Sequence, residues 1–305
     1  MPITNASLIP DLRMASVLDA GLRLLLHDEM SMRNNNSIIN LGSINGTGSA
    51  TSNIRFAGLD GYDEMLSYAE TAVVPETVLA DASAAIAVGR AAILRNISDL
   101  AVITGFSQDV DPMRLAQSMV GAYNQYFNSL AGAAIATFTS VVGTAGVDTS
   151  VDDYYDAIFA LETSSVPGDY YCLLNPVQWA NLQESLRGAA GAVSFMDATE
   201  EALRIKGQGF MGSFLGVDIF RSDKVVVDGA GDAHGGMWGY GALGFKTGAA
   251  ANPIGAGAVI SPDGSIVVEF ERVSAAATTQ IIGSAYVGLS ILEDARGVQI
   301  RSDGT

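Results

Sequence analysis

Residues 109–143 read DVDPMRLAQSMVGAYNQYFNSLAGAAIATFTSVVG, and their pattern decides the architecture. Asp111 is placed to cap a helix, and Pro112 to fill its first position, where a missing N–H costs nothing. Met113, Ala116, Val120, Tyr123, Phe127, Leu130, Ala134, Phe138 and Val141 then recur mostly at three- and four-residue spacing, giving one apolar face. Gly143 supplies the stop. The spacing predicts a rod over Pro112–Val142, about 46 Å long at 1.5 Å per residue. Gly121 and Gly132 weaken it locally. Close approach of another chain and packing on the chain's own core account for them equally well.

What precedes this spine has no core of its own. In residues 1–30, Asp11 caps a short helix whose Leu12, Val17, Leu18, Leu22 and Leu25 form a stripe, with Arg13 and Arg23 on the polar side. Residues 31–50, SMRNNNSIINLGSINGTGSA, read as an extended linker or arm. In residues 51–95, Thr51–Ala57 is predicted to run out as a strand and Thr77–Ile86 to return. An acidic tip lies between them (Asp60, Asp63, Glu64, Glu70). A two-stranded excursion is marginal alone and needs a surface to lie on. Arg55, Arg90 and Arg95 flank the tip and offer charge complementarity between copies, although an ordinary solvated hairpin has the same composition.

Downstream the pattern alternates. Asp152–Leu161 is predicted helical, with Tyr155, Ile158 and Phe159 toward a core. Tyr170–Leu174 reads as a buried strand, and Pro176 opens a helix through Trp179, Leu182 and Leu186. Residues 188–215 are glycine-rich and read as containing a loop. Val217–Phe220 and Met237–Phe245 read as strands. Ala258–Ile260, the turn Pro262-Asp263-Gly264 and Ile266–Arg272 form a hairpin. Residues 278–292 continue that sheet, and Val298–Arg301 ends it.

Composition narrows the function. Of 305 residues, 16% are charged and 49% hydrophobic, well below the usual quarter for charge. This fits a surface covered by other copies, and it equally fits a compact Ala-rich fold. The net charge is −17 with no basic cluster, which disfavours tight binding to nucleic acid through phosphate neutralisation. A wall around nucleic acid is a different case, since weak repulsion lets packaged strands slide. The N-terminus lacks a basic region followed by an apolar core, so no secretory signal is read. No apolar run reaches the length of a bilayer span.

Chemistry is equally sparse. The single cysteine, Cys172, lies in an apolar run and reads as buried and structural. The two histidines, His27 and His234, lie in unrelated contexts, and His234 reads as part of a glycine-rich turn. Gly207-Gln208-Gly209 with Gly212 lacks the strand that a dinucleotide fingerprint must follow. Gly212-Ser213 has the wrong spacing for a nucleophile elbow. Asp148, Asp152, Asp153 and Asp156 read as a capped, solvated helix start rather than a calcium cage. The sequence therefore assigns no catalytic, cofactor-binding or metal residue, and no cofactor.

The order of parts resembles the major capsid proteins of tailed bacteriophages, with the HK97-type fold. The carrying residues are AAIAVGRAAILRNISDLAVITGFSQDVD at 84–111, leading into the spine, and VPGDYYCLLNPVQWANL at 166–182. With them go GFMGSFLGVDIFRSDKV at 209–225 and the terminal SAYVGLSILEDARGVQIRSD. The resemblance implies an α+β chain in five parts. These are an N-arm over 1–50, an extended E-loop hairpin over 51–90, a peripheral domain with the spine helix over 91–147, an axial α/β domain over 148–255, and closing strands of the peripheral domain over 256–305.

The resemblance also implies a role and partners. Copies would assemble as pentamers and hexamers into an icosahedral shell around double-stranded DNA. Further partners would be a scaffold protein, a portal and cement or decoration proteins. DNA contact would be weak and non-specific, and no membrane would be involved. The place would be the virion, with assembly in the host cytoplasm. The chain departs from the pattern in having no long helical scaffolding segment and no lysine in 51–90 for self-crosslinking. An encapsulin-like nanocompartment shell and a soluble α/β enzyme or binding protein remain as alternatives.

Overall fold

The computed structural model describes residues 37–57, 81–100, 112–188, 195–197, 209–248, 259–260 and 266–305, with Ser67, Glu70 and Val73 as isolated positions. The sequence reading of residues 1–30 lies outside these residues.

The spine is helix α1, Pro112–Ile135, about 36 Å long at 1.5 Å per residue. It starts where Pro112 predicts but ends seven residues before Val142. At its end the Thr137 and Phe138 N–H groups donate to the carbonyls three residues back, Ala134 and Ile135. This tightening closes the last turn. The β-branched Thr137, Thr139, Val141 and Val142 then favour extended chain, and Val141–Val142 form a short strand. Phe138 is buried beside Gly297, where a Cβ would collide with its ring. Phe138 and Val141 therefore keep helical spacing in sequence without being in the helix.

The buried face of α1 also differs in its second half. Ala116, Val120, Tyr123 and Phe127 are buried as expected; Leu130 and Ala134 pack against the same core but only partly buried, and Ala131 and Ile135 are the fully buried residues there. Gly132 explains the change of phase. The helix passes so close to the backbone at Lys224 that a Cβ on Gly132 would lie 2.5 Å from the Lys224 carbonyl oxygen. Around Gly121 there is open space. Alanine has the higher helix propensity by about 1 kcal/mol, so Gly121→Ala is expected to stabilise by about 0.5–1 kcal/mol. Gly132→Ala meets backbone and is expected to destabilise by about 1–3 kcal/mol. Urea denaturation of the two variants should give shifts of opposite sign.

Two sheets pack on this spine. The first contains β1 (Ile39–Ser43), β4 (Gly89–Ser98), β11 (Leu243–Thr247), β12 (Val259–Ile260), β13 (Ile266–Val273) and β14 (Thr278–Ile291). Its path is β1-β11-β14-β13-β12, with β4 paired to β14. The hairpin expected from Pro262-Asp263-Gly264 is present as β12 against β13, with Val259 opposite Val268; the turn itself lies outside the described residues. The presumed arm over 31–50 contributes a strand: β1 pairs parallel with β11.

The second sheet runs β5-β15-β10-β6-β9-β8-β7. Here β5 is Val141–Val142, β6 Tyr170–Leu174, β7 Phe195–Asp197, β8 Phe210–Phe214, β9 Val217–Arg221, β10 Asp232–Gly239 and β15 Gly297–Asp303. Two expectations are corrected. The strand predicted over Met237–Phe245 is two strands in different sheets, broken by Tyr240-Gly241, with Gly241 at φ +92°. The strand predicted over Val298–Arg301 does not end the first sheet. It pairs with β10 and β5 in the second.

Alternation along these strands builds two cores. Tyr171 and Leu173 of β6, Phe220 of β9 and Trp238 of β10 face the core around α1. Cys172, Leu174, Ile219 and Met237 face a second core, closed by α2 (Val151–Thr163) and α3 (Pro176–Gly188). Phe210 and Phe214, four apart on β8, fall into different cores because the register shifts between Phe210 and Gly212.

Helix α2 begins one residue earlier than predicted. Ser150 and Asp153 form a reciprocal capping box, each side chain taking the other's backbone N–H. That sets the phase, so Val151, Tyr154, Ala157 and Leu161 are buried while Tyr155 and Phe159 point outward. The expectation that Tyr155 and Phe159 face the core is thereby overturned.

Candidate assembly surfaces

The third sheet is a ribbon of only two strands, β2 (Thr51–Ala57) and β3 (Asp81–Ala87). They pair antiparallel from Thr51–Ala87 to Ala57–Asp81. β2 has the bounds the sequence predicts, and the return predicted over Thr77–Ile86 is a strand over Asp81–Ala87, with 77–80 outside the described residues. The base is closed by the Val88 N–H donating to the Ala50 carbonyl at 2.9 Å. Lys246 Nζ donates to Ser52 Oγ at 2.7 Å, and Gly288 lets the β14 backbone come against the Ala87 carbonyl. Ile86 is fully buried, while Thr51, Asn53, Arg55, Ser83 and Ala85 are exposed. The ribbon is thus rooted on the first sheet, and among its described side chains only Ile86 is fully buried. Most of the acidic tip lies outside the described residues, but Glu70 and Val73 are exposed, Val73 at 91%.

The three arginines expected to flank the tip have different fates. Arg90 Nη2 donates to Ser284 Oγ at 2.9 Å, and Arg95 Nη2 to Ser118 Oγ at 3.0 Å. Arg55 stays exposed. Between β4, α1 and β14 an apolar groove of about 160 Å³ opens, with Ile93, Met119, Ala122 and Tyr126 along it.

The polar residues singled out in the sequence resolve into structure. Cys172 is fully buried, and burial pushes its thiol up. Asp153 is spent on the α2 cap, and Asp148 accepts from Asn181 Nδ2 at 2.8 Å. Asp152 and Asp156 are exposed. Gly212 belongs to β8; Gly207, Gln208 and His27 lie outside the described residues. His234 is in strand β10, not a turn. Its Nδ1 accepts from Gln299 Nε2 at 2.6 Å, and its Nε2 lies 3.4 Å from Asp228 Oδ2.

Arg301 binds Asp228 and Asp232 at 3.0 and 2.9 Å. The Asp228 carboxyl is held below its usual range, first by the Asp232 backbone N–H, against burial, and further by the Ala230 N–H, His234 and Arg301. This cluster ties β15 to β10 and to the turn before it. Among the described residues no group of three or more His, Cys, Asp or Glu is arranged to hold a metal ion. No described helix is long and apolar enough to cross a membrane.

The surface residues that the sequence reading missed are Tyr155 and Phe159 of α2 and Leu215 of the β8–β9 turn, 46%, 68% and 51% exposed. The signal for the helix pair was present. Ser150 with Asp153 is a capping box, and counting from it puts Tyr154 rather than Tyr155 on the inner face.

No family model matches the chain, and no curated protein does. Solved structures do. The capsid of Ralstonia phage GP4 is similar at 12% identity, covering 92% of this chain and 91% of that one, with a TM-score of 0.64. The capsid of an empty GTA particle is similar at 15% identity, 90% coverage of each chain and a TM-score of 0.58. The SrpI encapsulin of Synechococcus elongatus PCC 7942 is similar at 12% identity, with 88% and 86% coverage and a TM-score of 0.57. The chain therefore has the HK97-type fold of shell-forming proteins, as its order of segments implied.

Proposed function

We propose that the chain is the major capsid protein of a tailed bacteriophage, assembling through pentamers and hexamers into an icosahedral shell around double-stranded DNA. The observation that carries this reading is the β2–β3 ribbon: a rooted, two-stranded excursion with one fully buried side chain among those described, and a two-stranded ribbon is marginal without a further layer to lie on. Lying on a neighbouring copy supplies that layer. The likeness to phage capsids across about nine-tenths of the chain supports the same reading.

Within it, residues 1–50 act as the N-arm and 51–90 as the E-loop. Residues 91–147 and 256–305 make the peripheral domain, and 148–255 the axial domain. Against these bounds, β5, β11 and β15 each lie in the sheet of the other body. A scaffold protein, a portal and cement proteins complete the particle, and assembly takes place in the host cytoplasm. The chain's net charge of −17 leaves its contact with packaged DNA weak and non-specific. The chain works by interface area rather than by turnover.

The test is negative-stain imaging of the purified protein together with nuclease protection in infected cells. Closed particles that protect DNA are expected. Closed particles that copurify with a protein cargo and no genome favour the encapsulin-like reading, and a small soluble oligomer overturns both.

A further inference from the structure

We propose that the outward face of α2 and the adjoining β8–β9 turn receive Arg221 of a second copy of this chain, so that copies join head to tail. This rests on the shell reading above and names the contact that closes its rings.

The receiving surface is apolar at its centre. Tyr155 and Phe159 stand one helical turn apart on α2, on the same side of the helix. The Tyr155 ring lies 6.3 Å from Phe214, edge to face, which joins the helix to the turn that follows Phe214. That turn is Leu215-Gly216, with φ of +53° and +80°. Two left-handed residues make the tight hairpin turn that ordinarily takes Asn-Gly. Leucine there is strained, and it carries an apolar side chain into solvent. Around this centre stand the exposed carboxylates of Asp152, Asp156 and Glu162. Aromatic anchors inside a charged rim are the usual make-up of a protein interface.

The complement is an arginine, and the cations whose side chains are described show which ones are available. Lys224, Arg272, Arg296 and Arg301 are paired with carboxylates. Arg90, Arg95 and Lys246 donate to hydroxyls of their own chain. Arg55, Arg187 and Arg221 remain exposed, with no side-chain partner among the described residues. Arg55 belongs to the ribbon. Arg187 lies in the last turn of α3, where a cation complements the carbonyl end of its own helix. Arg221 closes β9, and the β8–β9 turn opens it. The acceptor and the cation thus lie at opposite ends of one strand, roughly 13 Å apart along it.

Surfaces placed this way cannot satisfy each other within one molecule. Between copies they repeat in one direction and close into a ring when the rotation suits. A guanidinium meets both parts of the surface at once, stacking on Tyr155 or Phe159 while it pairs with Asp156. It also offsets locally the repulsion between chains of charge −17.

The experiment uses the full chain. Asp156→Cys with Arg221→Cys is expected to give, under mild oxidation, a ladder up to pentamers and hexamers on non-reducing gels, since the native Cys172 is buried. Assembled particles without a ladder overturn the pairing. Arg221→Glu, with its fold checked by circular dichroism, is expected to lower the ring fraction in sedimentation velocity by about tenfold. Adding Asp156→Arg is expected to restore it. Wild-type assembly by Arg221→Glu overturns the pairing and leaves the shell reading intact. Rings that crosslink but never close into particles support the pairing and overturn the shell reading.

Discussion

Excising residues 52–86 and rejoining Thr51 to Ala87 through a two-residue glycine-rich turn is expected to leave a folded subunit that forms no closed shells. The geometry permits a clean cut. Thr51 and Ala87 are register partners, and the next rung is the Val88–Ala50 hydrogen bond, so the new ends face each other at about 5 Å. The subunit loses the burial of Ile86, worth up to about 2 kcal/mol, and the Lys246–Ser52 hydrogen bond. Both cores remain, since among the described residues neither draws a side chain from the ribbon. What disappears is the surface that extends beyond the subunit's own body. Sedimentation and electron microscopy read the result, with near-ultraviolet circular dichroism as the folding control. Intact particles from the excised chain would show that the ribbon is dispensable and would remove the observation on which the proposed function stands.

Trp238→Ala is expected to cost about 3–5 kcal/mol, a third or more of the stability of an ordinary domain. Trp238 lies at the middle of the molecule, fully buried in β10, with its ring 6.3 Å from Tyr171. Its Nε1 donates to the Ser37 carbonyl at 2.8 Å, which fastens the chain just before β1. Trp238→Phe separates the two contributions. It keeps most of the apolar volume and gives up that hydrogen bond, at about 1 kcal/mol. Urea denaturation should show a large loss for alanine and a small one for phenylalanine. Hydrogen exchange should show residues 37–43 loosened in both. Equal losses for the two variants would place the weight on the hydrogen bond and contradict this division.

Much of the fold is legible in the sequence because local chemistry and final environment agree. Pro112 starts α1 where its missing N–H is harmless, and the inner face is right as far as Phe127. Thr51–Ala57 runs out as predicted, and the return predicted over Thr77–Ile86 pairs with it through Asp81–Ala87. The segment around Pro262-Asp263-Gly264 joins two strands that do form a hairpin. The failures come where a partner distant in sequence decides. Ile135 ends the helix because Val141–Val142 pair with β15, some 158 residues later, and helical spacing alone could not reveal this. Gly132 shifts the buried face because the Lys224 backbone lies against it. Tyr155 and Phe159 look like core residues by composition; only the phase set by Ser150 and Asp153 turns them outward. His234 looks like a turn among glycines, yet Gly235 and Gly236 are small because side chains and backbone crowd both faces of β10 there. The polar residues taken one by one contained no catalytic pattern, and the structure uses Asp153, Asp148 and Cys172 for caps, tethers and packing.

Strand β15 carries a consequence for biosynthesis. It lies between β5 and β10, and it supplies Val298 and Ile300 to the core beneath α2 and α3. A nascent chain still holding residues 297–303 inside the ribosomal tunnel therefore has a gap between β5 and β10 in its larger sheet, however long it waits. Prematurely terminated products share that gap and stay exposed to proteases. Ordering the chain this way delays completion of the subunit until translation has passed β15.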